Sequence, residues 1–139
     1  MVPDPRPDSA PPTGGGRRRC PIVRAELQRA RSAVLEAELA ERPSDRYLAA
    51  HLAALRVAAV ILAARTNPAL PGPSRPRNAW EVLAEVAPEY GEWAAFFAAT
   101  QPKRDAVQAG ATSIITAREA DDMVLDANAF LGLVERACL

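Results

Sequence analysis

A guanidinium, an imidazole and a second guanidinium interrupt the otherwise apolar run "SDRYLAAHLAALRVAAVILAAR", residues 44–65. They are Arg46, His51 and Arg56, and His51 is the only histidine in the chain. An imidazole that titrates near neutral pH can give or take a proton. A guanidinium beside it can hold a phosphate and stabilise charge that develops there. On a helix, five residues place Arg46 and His51 about 140° apart, so they flank a surface and do not stack along one line. They converge on one phosphate only if a groove lies between their faces or a second copy supplies one of them. His51 shares a face with Leu48 and Leu55. The alternative is therefore a core ring hydrogen-bonded to a neighbouring helix.

Arg56 lies midway along a run that reads as buried, where an unpaired charge would cost several kcal/mol. The segment "READD", residues 118–122, offers Glu119, Asp121 and Asp122 in the first turns of the last predicted helix. The positive end of that helix dipole also favours acids there. Asp121 and Asp122 point about 100° apart, so only one need face inward. The expectation is that one of them pairs with Arg56 or Arg46 across the fold, as a ligand-binding set or a structural ion pair. No metal site is expected, because one histidine and two isolated cysteines lack ligand spacing and no acid cluster matches. No cofactor is implied either. The sequence has no glycine-rich phosphate loop, no HExxH, no CxxC and no nucleophile elbow.

The elements that would position these side chains are all helical. Hydrophobic residues make up 49% of the 139 and aromatics only 5%, so alanine and leucine must fill the core, which suits close helix packing. Residues 23–41 carry Val23, Leu27, Ala30, Val34 and Ala37 on one stripe, with Arg24, Arg31 and Glu38 elsewhere. Pro43 ends that helix, and Ser44 or Asp45 is expected to cap the next, which runs to about Arg65. Four prolines in residues 66–78 make a long connector. Asn78 and Glu81 form a capping-box pair. Pro88 breaks or restarts the helix that follows, Pro102 begins a further short one, and Gly110 closes it. Thr116 and Glu119 launch the last helix, with Ala120, Met123, Val124, Ala127, Phe130, Leu131 and Val134 on its buried stripe. Of the adjacent Phe96 and Phe97, one is expected to face outward, where it would favour a dimer or partner interface.

The fold class is all-α, a single helical bundle of about five helices over residues 22–139, preceded by a disordered tail over 1–21 that is rich in Pro, Gly and Arg. Net charge is zero overall, but +2 over 1–20, +4 over 21–78 and −6 over 79–139. No domain is basic enough for a dedicated nucleic-acid binder. The tail has no apolar signal segment, and alanine, His51 and Arg56 weigh against a membrane span. A cytoplasmic protein that does not enter the membrane is expected.

The spacing R-x-x-x-x-H, "RYLAAH", is similar to the motif of the HEPN domains, small helical bundles. The three segments "RYLAAHLAALRVAAVILAAR", "RPRNAWEVLAEVAPEYGEWAAFFAATQPKR" and "AREADDMVLDANAFLGLVERA" together resemble small HEPN proteins of actinomycetes, over about residues 23–137. In catalytic HEPN members the Arg and His cut RNA without metal, usually from both subunits of a homodimer. Carried over, the resemblance implies that Arg46 binds the scissile phosphate and that His51 acts as general acid or base on the 2′-hydroxyl or the leaving oxygen. Tyr47 stands where catalytic members often carry a polar residue. Three readings follow: a HEPN-like protein that binds a partner protein or a nucleotide or RNA ligand without catalysis, a metal-independent endoribonuclease with an Arg46/His51 site in a homodimer, and a structural helical adaptor. A buried His51 bonded to a main-chain carbonyl would count against the second.

Overall fold

The computed structural model describes residues 14–66 and 78–137, with side chains from Ile22 onward. Five α-helices follow in order: α1 Gly14–Leu39, α2 Pro43–Arg65, α3 Ala79–Val86, α4 Gly91–Gln108 and α5 Ala117–Ala137. Single 3-10 turns, Pro88–Tyr90 and Thr112–Ile114, precede α4 and α5. Among the described residues there is no strand, and the bundle is all-α as expected. Residues 1–13 of the expected tail and 67–77 of the connector lie outside the described residues. The helix itself starts at Gly14, ahead of the expected boundary.

The sequence builds the helix ends by several devices. Pro43 does not merely stop α1. It occupies the first turn of α2, where its missing N–H costs nothing, and Arg42 rather than Ser44 or Asp45 is the N-cap residue. Asn78 accepts from the Glu81 N–H at 2.9 Å. Around α5 the capping box closes in both directions: Thr116 Oγ1 accepts from the Glu119 N–H at 3.0 Å, and Glu119 Oε1 accepts from the Thr116 N–H at 3.1 Å. Gly110, with φ of 116°, ends α4. The Ala111 N–H then reaches Ala106 O and the Gly110 N–H reaches Val107 O, each at 3.0 Å, which is a Schellman closure.

Packing is organised around α2, against which α1, α3, α4 and α5 all pack. Its inner positions are largely alanine (Ala50, Ala53, Ala54, Ala58), and all four are fully buried. Small side chains let the surrounding helix axes approach closely. The aromatic side of the core lies opposite: Phe97 stacks on Trp80 at 5.0 Å and approaches Phe130 at 5.6 Å. By length and composition α2 could cross a membrane, but half of its apolar stretch is buried within this bundle. All seven residues expected on the inner stripe of α5 are buried, as are Leu27, Ala30, Val34 and Ala37 of α1.

One expected break does not occur. Pro102 lies inside a continuous α4 and does not begin a new helix. A proline in that place lacks the N–H that would reach Ala98 O, four residues back. In the turn before it, Thr100 Oγ1 donates to Phe96 O or Phe97 O, at 3.2 and 3.1 Å.

The reciprocal cap of α5 makes a simple prediction. Thr116→Ala should lower unfolding free energy by about 1 kcal/mol. Urea denaturation would read this as a lower midpoint with an unchanged slope.

Candidate functional site

The sequence reading rests on Arg46, His51, Arg56, Asp121 and Asp122, and the fold pairs Arg46 with Asp121 while turning His51 inward and Arg56 outward. His51 is 1% exposed, on the α3–α4 side of α2. Its ring stands edge-on to Trp80 and Phe97, at 6.1 and 5.7 Å between centroids. Nε2 lies 3.2 Å from Phe97 O and 3.1 Å from Thr100 Oγ1. A carbonyl oxygen only accepts, so Nε2 carries the hydrogen and the neutral ring donates into the turn before Pro102. Burial pushes the imidazole below its ordinary value of 6.5, against the opposing pull of the Phe97 carbonyl.

Arg46 turns a different way. It is in the first turns of α2, where its fork can reach back over the three-residue corner from α1. Nε donates to Ala40 O and Nη2 to Glu41 O, each at 3.1 Å. Nη1 donates to Asp121 Oδ1 of α5 at 3.0 Å. The guanidinium is therefore a clasp joining the end of α1, the start of α2 and the start of α5. Asp121 is largely exposed, so the two carbonyl bonds contribute more than the ion pair does. Arg46 and His51 do not meet around a common groove. Tyr47 between them is buried, and burial raises its phenol above the usual range, with the Glu119 carboxylate adding to the rise.

Arg56 corrects the expectation that it lies within a buried helix. It is on the exposed side of α2, so there is no desolvation penalty for an acid to offset. Among the described residues it has no ion pair, and Asp121 goes to Arg46 instead. Asp122 is exposed too; with burial as the larger cause, its charge helps raise the Asp126 carboxyl. Among the described residues no group of His, Cys, Asp and Glu could hold a metal ion.

Sequence reasoning missed the polar latch between α1 and α5. Arg31 sets its fork on Glu135, with Nη2 to Oε1 at 2.6 Å and Nε to Oε2 at 3.4 Å, and also donates to Asn128 Oδ1. The signal was present, since Arg31 falls four residues after Leu27 and three before Val34, beside the buried stripe. Thr100 was missed as well, because its role depends on α4 continuing through Pro102.

An all-α bundle carrying R-x4-H at the start of its central helix agrees with the HEPN resemblance. The chain belongs to the HEPN_SAV_6107-like HEPN family, whose model matches residues 37–135, well over half of the sequence. Neither a curated protein nor a solved structure gives a significant match.

Two outcomes test these assignments. A ring held below 6.5 when folded binds its proton more readily when unfolded. Stability from His51 is thus complete above about pH 6.5 and falls as the pH drops below it. Thermal melts from about pH 7.5 to 5 should show that decline in wild type and a flatter profile in His51→Gln. Arg46→Ala should cost about 2 kcal/mol in urea melts, through the two orphaned carbonyls, with Arg46→Lys recovering only part because an ammonium lacks the fork.

Proposed function

We propose that this HEPN protein works by binding, holding a partner protein or a nucleotide or RNA ligand without cleaving it. The observation that carries the reading is the engagement of the His51 proton. A general acid or base must reach substrate atoms within about 3 Å, directly or through one water. A ring closed between Trp80 and Phe97 and donating to Phe97 O has no such reach. Arg46 supports the same reading, because all three of its donating nitrogens already serve the protein's own oxygens. For the pair to act on RNA, α2 would have to release both the α1 corner and the Phe97 turn.

Exposed apolar side chains favour a macromolecular partner over a small ligand. Phe96 is 37% exposed next to the fully buried Phe97, matching the expectation that one of the two faces outward. Leu35 and Leu39 of α1 and Leu125 of α5 are more exposed still.

The deciding experiment is incubation of the purified, folded protein with mixed RNA in EDTA, beside His51→Ala and His51→Gln variants of verified fold. The expected result is no cleavage by wild type. Cleavage that disappears in both variants would replace this reading with a metal-independent nuclease centred on His51.

A further inference from the structure

Away from Arg46 and His51, a groove of about 490 Å³ runs between α1 and the outer part of α2. Ala59, Val60 and Ala63 of α2 form its floor, and Ile22, Glu26 and Arg29 of α1 line it from the other side. Arg56 lines it as well. The short corner between the two helices makes them antiparallel, so Arg29 lies toward the Arg56 end and Ile22 toward the Ala63 end. The groove is therefore graded, with guanidiniums at one end and hydrocarbon at the other. Arg29 binds Glu26 at 2.6 Å and so matches the one negative charge in the lining. Arg56 has no ion pair among the described residues, and its charge is the one left over.

The apolar end does not stop at Ala63. Two smaller hollows continue it, the first lined by Val23 and Ala64 and the second by Ile61, Tyr90 and Val134, and Val60 borders all three. Eight residues separate Arg56 from Ala64, about 12 Å along the helix.

From this grading we propose that the groove binds a medium-chain fatty acid, with the carboxylate on Arg56 and the hydrocarbon tail laid over Ala59 and Ala63 toward Val23 and Ala64. Sites for small ligands typically enclose about 300–1,000 Å³, mostly apolar, with a few polar groups that fix orientation. A carboxylate matches the guanidinium fork, which can hold both of its oxygens, and Arg29 stands on the same side. An extended chain of about ten carbons, with C–C bonds of about 1.5 Å laid in a zigzag, covers the 12 Å to Ala64. Alanine at 59 and 63 leaves room for so thin a chain, whereas a partner helix is about 10 Å across. The site uses neither Arg46 nor His51, so it goes beyond the binding reading above, and either can fail while the other stands.

Equilibrium dialysis of the full chain against radiolabelled decanoate at about pH 7.5, where the carboxylate is ionised, tests the proposal. The expected result is saturable binding of one decanoate per chain, with a Kd of about 100 µM or tighter. Octanoate should bind about fourfold or more weaker, because two fewer methylenes leave water. Arg56→Glu should weaken binding about tenfold or more, and Arg56→Lys should keep part of it. Ala59→Trp fills the groove and should abolish binding. Both positions are exposed, so circular dichroism should show unchanged helix content in these variants. Decyltrimethylammonium, with the same tail and the opposite charge, should not compete. A wild type that takes up no decanoate, or takes it up without saturation, overturns the proposal. Competition by the cation, or Arg56→Glu or Ala59→Trp binding as tightly as wild type, overturns it equally. A chain that binds phosphatidylglycerol vesicles but not free decanoate would also overturn it, and the groove would then be a membrane contact.

Discussion

Alanine makes up the inner surface of α2, and the bundle depends on what that requires. An alanine buries little area by itself, so a helix built from it gains stability only when its neighbours come close enough to touch its backbone. Helices α1, α5, α3 and α4 meet that condition around most of the circumference. Close approach leaves no room for water, so every polar atom drawn inside must find a partner in protein. Arg46 and His51 are the two places on α2 where this demand is most exacting.

His51 ties α2 to α4 one turn ahead of Pro102. The imidazole and the hydroxyl of Thr100 both bring donors to Phe97 O, with the Trp80 and Phe97 rings closing over the imidazole. The ring is fixed in one tautomer by the carbonyl it serves. A residue type suited to proton transfer is here used for its shape and its single N–H.

Much of the architecture was legible in the chain because polar and apolar residues alternate at helical period. In α5, seven inward positions stand out against Asp122, Asp126 and Arg136 on the other side. The capping boxes were legible too, since they depend on two residues three apart and nothing distant. Arg56 was misread for a specific reason. Alanine counts as apolar on either face, so a helix as alanine-rich as α2 gives no contrast between inside and outside. The continuity of α4 was not legible because the rule for proline concerns the isolated helix, whereas this one is packed against α2 and α3. Within the candidate site, the alternative of a core histidine was visible from its shared face with Leu48 and Leu55. The carbonyl that receives its hydrogen was not.

Detachment of α1 from its C-terminal end is not a residue-by-residue event. The carbonyls of Ala40 and Glu41 are both taken by one side chain of α2, and the same guanidinium is tied to α5. Further along, the Arg31 fork fastens α1 to α5 directly. Opening the corner between α1 and α2 therefore breaks contacts of the first, second and last helices together. The corner between the first two helices, which by length alone would be a hinge, behaves as a rivet.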